Sequence, residues 1–273
     1  MNKCIEYLKS TRPKQWVKNL LVYSAPVLHS GGIVFLNFEL FATFIAMIML
    51  SGSVYILNDI RDYSIDQNDP SKVAKRPILS GKIGGGEAKV LGLVLFILAI
   101  LIFQQMQTTK IAVLYLTINI LYNFGGKKIP YLEVLMVCSG YPLRAWLGAE
   151  VGNAPMTWSL TLSLTFGAIA VICAKRVSGD HPANYYYKDK VLEKINLISL
   201  MMVAVVSIVW FIFNLSVISI LTPIGTTVAV YRVRKLTVDR KLAHTESILK
   251  DKSLIIAGAV AVLSVALHIG VMA

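Results

Sequence analysis

The sequence has few charged residues and few cysteines for a chain of its length. Only 15% of its 273 residues are charged, whereas 56% are hydrophobic, and a soluble domain carries about 25% charge. The three cysteines, Cys4, Cys138 and Cys173, are unevenly spaced, which is typical of neither a disulfide framework nor a metal centre. The composition therefore excludes an ordinary soluble domain, and we expect the cysteines to behave as small apolar residues.

The sequence also lacks the short motifs that identify many soluble enzymes. It contains no G-x-G-x-x-G, no P-loop, no H-E-x-x-H and no nucleophile elbow around a serine. The run Gly84-Gly85-Gly86 has no such fingerprint around it and indicates only a flexible loop. The first residues do not follow the order of a signal peptide, so we expect no cleaved leader.

Long apolar segments are what the sequence has in abundance. They recur along the whole chain and are long enough to cross the ~30 Å hydrocarbon layer of a bilayer. They predict an all-α, polytopic membrane protein, a bundle of about nine transmembrane helices in a single domain covering residues 1–273. The first segment is a weak candidate for a membrane span, because Lys18 and Pro26 interrupt its apolar run. The predicted segments are 16–35, 38–57, 88–105, 109–125, 131–149, 157–174, 195–213, 216–233 and 253–271.

The distribution of positive charge predicts the orientation of the chain. Of the 27 lysines and arginines, only Lys110 and Arg144 lie outside five basic connections. By the positive-inside rule these connections and the N-terminus are cytoplasmic, and the C-terminus is outside a bacterial-type cytoplasmic membrane. The net charge of +12 thus follows topology and does not indicate nucleic acid. The basic connections are 1–18, 58–89, 126–130, 175–194 and 232–252.

The residues that best indicate a function lie where the second apolar segment ends. Asp59, Asp62 and Asp66 are spaced so that a continuing helix would place all three carboxylates on one face. Like charges so close together repel each other, and a divalent cation removes that repulsion. Oxygen ligands of this kind suit Mg²⁺, usually with a substrate's phosphates. We therefore predict a Mg²⁺–diphosphate site, with a solvated helix end as the alternative.

Nearby basic residues are expected to supply counter-charges for the phosphates. The turn signal Asn68-Asp69-Pro70 would fold Lys72, Lys75 and Arg76 back toward the acidic helix end. Arg144 lies ~17 Å into a predicted span at 1.5 Å rise per residue, a depth at which an ionised group is a functional candidate. The alternative is a structural role for Arg144, paired with Glu150 or with a backbone carbonyl.

At this point a family resemblance can be recognised. The pattern Asn58-Asp59-x-x-Asp62-x-x-x-Asp66, followed by Lys75-Arg76-Pro77, resembles the first aspartate-rich motif of the UbiA superfamily of intramembrane prenyltransferases. Within it the chain is similar to the decaprenyl-phosphate (polyprenyl-phosphate) phosphoribosyltransferase branch. The motifs that support this branch are Arg12 to Asn19, Asp69 to Lys72, Ser139 to Ala145, and Lys175-Arg176.

The resemblance implies a fold and a set of site residues. It implies a nine-helix bundle, a cytoplasmic Mg²⁺ site between the second and fifth helices, and a lipid-facing opening for a polyprenyl chain. Asp59, Asp62 and Asp66 would be catalytic metal ligands, joined by Glu133, where the branch usually has aspartate. The residues expected to bind substrate or diphosphate are Lys14, Lys18, Asn19, Asn58, Lys72, Arg76, Tyr122, Lys127, Lys128, Arg144, Lys175 and Arg176.

Three hypotheses of function follow. The leading one is Mg²⁺-dependent transfer of 5-phosphoribose from phosphoribosyl diphosphate to a polyprenyl phosphate at the cytoplasmic face. The second is transfer of a polyprenyl group from its diphosphate to an aromatic or other acceptor. The number of cations favours the first, because its donor has an extra phosphate and its acceptor is a phosphate. The third is a non-catalytic transporter or lipid-binding protein. Carboxylates at the bilayer midplane would favour it, but the aspartates here lie at the cytoplasmic end of a predicted span.

Overall fold

A computed structural model describes residues 3–30, 37–178, 189–242 and 250–272. These residues form helices and their connections, without a β-strand among them. Many large apolar side chains lie exposed on the outside of the bundle, among them Leu98, Leu101, Ile198 and Met201. Such a surface suits lipid rather than water. The prediction of an all-α integral membrane protein is confirmed.

The helices follow the predicted segments closely, with short helices at one end of the bundle. The N-terminal part consists of α1 (Lys3–Ser10), a 3-10 helix (Pro13–Tyr23) and α2 (Ser24–Ser30). Next come α3 (Phe38–Arg61), α4 (Tyr63–Asp66), α5 (Pro70–Val73), α6 (Gly85–Gln105) and α7 (Thr109–Asn123). The rest are a 3-10 turn (Gly126–Lys128), α8 (Leu132–Val151), α9 (Trp158–Ser178), α10 (Asp189–Phe213), α11 (Leu221–Val238) and α12 (Lys252–Met272).

Five of the described helices are long and apolar enough to cross a membrane by length and composition. These are α3, α6, α9, α10 and α12. Charged residues interrupt α8 and α11, and α7 has only 15 residues. The first predicted segment, 16–35, is no single helix, since its described part is a 3-10 helix followed by the short α2. The number of nine spans, like the orientation, stays a prediction.

The principal core holds the N-terminal 3-10 helix against the long helices. Val22, Leu40, Leu50, Phe103 and Leu147 are completely buried in one apolar cluster that joins this helix to α3, α6 and α8. Through this packing, the polar residues 12–19 are anchored beside the end of α3. The fold thereby positions the predicted acidic site.

The closest approach between these elements occurs at Gly148 of α8. A methyl group added at Gly148 would lie 1.6 Å from the backbone oxygen of Val22, far inside van der Waals contact. The absence of a side chain at this position therefore sets the distance between α8 and the N-terminal 3-10 helix.

We predict that Gly148→Ala destabilises the protein, because the backbone at Val22 must move away from the added methyl group. Overpacking of this kind typically costs about 1–3 kcal/mol. A lower apparent Tm of the detergent-purified protein would measure the effect. The matched control is Gly167→Ala in α9, where an added methyl group meets no atom within 4 Å. Equal Tm values for both variants would contradict the packing argument.

Candidate functional site

The centre of the site is a pair of buried aspartates joined by one arginine. The Arg76 guanidinium donates from Nη1 to Oδ1 of Asp59 at 2.9 Å and to Oδ2 of Asp66 at 2.6 Å. Lys72 also contacts Asp66, at 2.5 Å. Asp59 and Asp66 are both buried. The loop after the Asn68-Asp69-Pro70 turn thus brings Lys72 and Arg76 to the acidic helix end as predicted, whereas Lys75, predicted with them, is exposed and does not contact these aspartates.

The balance of burial and charge keeps Asp66 ionised at neutral pH. Burial alone raises the pKa of its carboxyl, but the hydrogen bond from Lys72 and the charge of Arg76 outweigh that effect. The pKa of Asp66 is therefore lowered from its ordinary value of 3.8. A carboxylate that persists in this position provides a permanent negative charge for a cation to bind.

A second arginine, Arg12, also binds Asp59. Its Nη2 donates to Oδ1 of Asp59 at 2.5 Å, while its guanidinium lies 4.8 Å from the centre of the Tyr55 ring. The backbone of Arg12 is left-handed, at φ 56° and ψ 69°. Arg12 precedes Lys14 in the same basic segment, but sequence spacing gave no sign of its contact with α3.

Asp62 binds a different cation from the other two aspartates. Helix α3 ends at Arg61, Asp62 caps it, and α4 then begins at Tyr63. The expected continuous helix is thus broken at the second aspartate. Both oxygens of Asp62 accept from Lys127, at 2.6 and 2.5 Å. Within the described residues, no three His, Cys, Asp or Glu side chains converge as a ligand set.

Glu133 and Arg176, both predicted as site residues, bind each other. Arg176 donates from Nε and Nη2 to the two oxygens of Glu133, each at 2.9 Å, in a bidentate pair. Glu133 is fully buried. Tyr122, at the end of α7, lies near enough for the charges of Glu133, Arg176 and Asp62 to act on its hydroxyl.

Arg144 is held in a hydrogen-bonded network of its own. It donates to Oδ1 of Asn19 at 2.8 Å, to the Tyr115 hydroxyl at 2.9 Å and to the Gly140 carbonyl at 2.5 Å. The Asn19 amide in turn donates to Ser51 at 3.3 Å. Asn19 and Arg144, each predicted to bind substrate, thus connect the N-terminal 3-10 helix to α8. Of the alternatives for Arg144, the backbone carbonyl is observed, and Glu150 accepts from Trp146 instead.

Lys18, in the N-terminal 3-10 helix, lies close to several other positive charges. The charges of Lys175, Arg144 and Arg12 all act on Lys18, whose ammonium lies 6.0 Å from the centre of the Tyr141 ring. No carboxylate forms a salt bridge with Lys18 in the part of the chain that the structure describes. Such a surplus of positive charge suits an anionic ligand.

The remaining predicted residues lie at the edge of the site. Asn58 is half-buried, and its backbone carbonyl accepts from the amide of Asp62 at 2.9 Å. Lys14 and Lys128 are exposed, the first in the N-terminal 3-10 helix and the second next to Lys127. The arrangement as a whole concentrates carboxylates and a larger number of cations at one end of the helix bundle.

Comparison with known proteins agrees with this arrangement. The model of the UbiA prenyltransferase family matches residues 20–254, which is most of the chain and includes the three aspartates, Glu133 and Arg176. The chain belongs to the UbiA prenyltransferase family. The sequence resemblance is thereby confirmed at the level of the family.

Two curated relatives of this UbiA-family chain carry the same name. The decaprenyl-phosphate phosphoribosyltransferase of Mycobacterium tuberculosis is 32% identical over 184 residues, which cover 64% of this chain and 60% of the relative. That of Corynebacterium glutamicum is 31% identical over 176 residues, covering 62% and 53%. The matched region thus spans between about half and three-fifths of the relatives' length.

Solved structures show the UbiA fold along the whole chain. A structure of digeranylgeranylglyceryl phosphate synthase superimposes with a TM-score of 0.73 at 18% identity and covers 99% of both chains. A UbiA homologue from Archaeoglobus fulgidus, bound to GPP and Mg²⁺, gives a TM-score of 0.67 at 15% identity, with 98% and 99% covered. At these identities the likeness establishes the fold of the UbiA-family chain and no more.

We predict that Glu133→Ala lowers the stability of the protein, because it leaves the guanidinium of Arg176 without its bidentate partner. Breaking a buried ion pair from one side typically costs about 3–5 kcal/mol. Unfolding of the detergent-purified protein measures the loss. The double variant Glu133→Ala with Arg176→Leu should lose clearly less than the sum of the two single variants. Additive losses would show that the pair is not coupled.

Proposed function

We propose that this UbiA-family protein transfers 5-phosphoribose from phosphoribosyl diphosphate to a polyprenyl phosphate, with Mg²⁺, at the cytoplasmic face of the membrane. The observation that carries the proposal is the excess of cations over carboxylates at the site. Among the described residues, Arg12, Lys72, Arg76 and Lys127 contact the three aspartates. Close by, burial and the charges of Lys175, Arg144 and Arg12 lower the pKa of Lys18 to about 7, so a bound phosphate would stabilise its charged form.

The excess of positive charge is informative about the substrate. The aspartates are already compensated by the side chains that contact them, so an added divalent cation requires several negative charges from the ligands themselves. Phosphoribosyl diphosphate brings three phosphates, and a polyprenyl phosphate brings a fourth. The names of the curated relatives support the same donor and acceptor.

The donor set fits a magnesium–diphosphate complex. One cationic nitrogen of Arg76 already lies within hydrogen-bonding distance of oxygens from both Asp59 and Asp66, so these oxygens converge on one point of positive charge. Asp59, Asp66 and Asp62 are the residues that would hold Mg²⁺. When bound, the metal supplies a Lewis acid that neutralises the departing diphosphate.

The chain's own residues would orient the two substrates and stabilise charge. Lys127 and Arg76 are positioned to contact the diphosphate, and Lys18 and Lys175 the acceptor phosphate or the 5-phosphate of the donor. The acceptor phosphate is already an anion, so its oxygen attacks C1 of the ribose without a protein base. The bond between C1 and the diphosphate oxygen breaks, and its electron pair leaves with the diphosphate.

A second candidate keeps the site and changes the donor to a prenyl diphosphate. The UbiA homologue from Archaeoglobus fulgidus supports this reading, since that protein binds GPP and Mg²⁺. A prenyl diphosphate attacked by an aromatic acceptor brings only two phosphates, which leaves Lys18 without an anionic partner from the substrates. A non-catalytic transporter is disfavoured, because Asp59, Asp62 and Asp66 lie at the end of α3 and beyond it.

We predict that the purified protein, given Mg²⁺ and polyprenyl phosphate, incorporates label from phosphoribosyl diphosphate into lipid. A prenyl diphosphate labelled in its prenyl group, offered in parallel with an aromatic acceptor, should give no labelled product. Thin-layer chromatography of the organic extract separates the two outcomes. Transfer of the prenyl label alone would establish the second candidate instead.

We predict that Asp62→Asn lowers the turnover rate about a hundredfold or more, the usual effect of removing one electrostatic stabiliser of the transition state. The matched control is Asp251→Asn, which alters another aspartate held by one cation, Arg232, at 2.5 Å. Asp251 lies between α11 and α12, away from the site. The two variants should have similar Tm values and very different rates. An Asp62→Asn variant with wild-type turnover would remove Asp62 from the metal site.

A further inference from the structure

Side-chain cations contact both of the buried aspartates that the proposed metal site needs. Oδ1 of Asp59 accepts from both Arg12 and Arg76, at 2.5 and 2.9 Å. Asp66 accepts from Arg76 and Lys72, at 2.6 and 2.5 Å. Each of these buried carboxylates therefore has two cationic partners. A divalent cation that binds between them meets the guanidinium groups that already hold Oδ1 of Asp59 and Oδ2 of Asp66.

Displacing such a guanidinium group is unfavourable for a metal that enters alone. The displaced guanidinium would remain in a part-buried site, next to two added positive charges and without its carboxylate. Leaving a buried charge unpaired in this way typically costs several kcal/mol. A diphosphate that enters with the metal removes the difficulty, because its oxygens give the displaced guanidinium a new anionic partner.

The contact of Arg12 with Asp59 leaves one buried donor of Arg12 unsatisfied. Its Nε is buried and has no hydrogen-bond partner, although its Nη2 binds Asp59. An unsatisfied buried donor is unfavourable, because it has lost its hydrogen bonds to water. Its left-handed backbone, at φ 56°, is also strained for a residue other than glycine. Phosphate oxygens would satisfy the remaining donor that the carboxylate leaves free.

We infer that Arg12 and Arg76 are exchangeable counter-ions, which hold Asp59 and Asp66 in the ligand-free protein and transfer to the diphosphate as the metal enters. A divalent cation therefore binds tightly only together with a diphosphate. The inference rests on the metal–diphosphate site of the proposed function and adds the order in which that site is filled. It also assigns to Arg12 a direct role in binding the diphosphate.

The test is equilibrium dialysis of the full-length, detergent-purified protein against radiolabelled Mn²⁺, at one fixed concentration of free Mn²⁺, with and without inorganic pyrophosphate. For the wild type we expect pyrophosphate to strengthen Mn²⁺ binding at least tenfold. The principal variant is Arg76→Gln, which leaves Asp59 with Arg12 and Asp66 with Lys72. It should bind Mn²⁺ alone at least tenfold more tightly than the wild type, and pyrophosphate should strengthen its binding far less.

Two further variants separate the counter-ion role from a simple change of net charge. Arg12→Gln leaves Asp59 paired with Arg76, and it should show the same changes as Arg76→Gln to a smaller degree. Arg61→Gln removes one positive charge from the end of α3, where the exposed Arg61 packs on the Phe124 ring at 4.0 Å. Arg61→Gln should match the wild type in both measurements. The same changes in Arg61→Gln as in Arg76→Gln would overturn the inference.

The remaining outcomes distinguish the inference from the proposed function. Equal binding of Mn²⁺ to the wild type with and without pyrophosphate would overturn the counter-ion exchange and leave the metal site standing. The absence of Mn²⁺ binding to the wild type and to every variant, in both conditions, would overturn the metal site of the proposed function and the inference with it.

Discussion

The structure depends on one electrostatic constraint: buried carboxylates at the end of the helix bundle require cations beside them. Asp59 and Asp66 are buried, and an ionised group in such a place is costly unless it is paired and hydrogen-bonded. Arg12, from before the N-terminal 3-10 helix, and Arg76, from the loop after α5, meet this need together. The pairing ties three distant stretches of sequence into one site.

The same constraint explains the polar groups around that centre. Glu133 at the start of α8 is paired with Arg176 near the end of α9, and Arg144 is enclosed by Asn19, Tyr115 and the Gly140 carbonyl. These contacts fix how α8 meets its neighbours and how the N-terminal 3-10 helix lies against it. Pairs of this kind contribute geometry more than net stability, since desolvation offsets much of their attraction. They connect the polar residues of the site to one another within an apolar bundle.

A bundle with an apolar exterior and a charged site at one end suits a substrate that is itself amphipathic. Large hydrophobic side chains remain exposed around the long helices, whereas cations concentrate at one end of the bundle. A lipid with a phosphate head group can place its chain in the bilayer and its charge among the lysines and arginines. In the proposed reaction the second phosphorylated substrate is soluble and would reach the same end from water. The fold would then bring together two substrates that do not share a solvent.

The sequence by itself determined the all-α membrane class, the approximate helix positions and the family, because apolar length and the spacing of the aspartates are local properties. It also singled out Arg76 and Lys127, which lie near the aspartates in the structure. Only the tertiary structure decided the partners: Arg12 with Asp59, Glu133 with Arg176, and Arg144 with Asn19. Those contacts join residues 43 to 125 positions apart. Helix packing sets such distances, and no local pattern in the sequence encodes them.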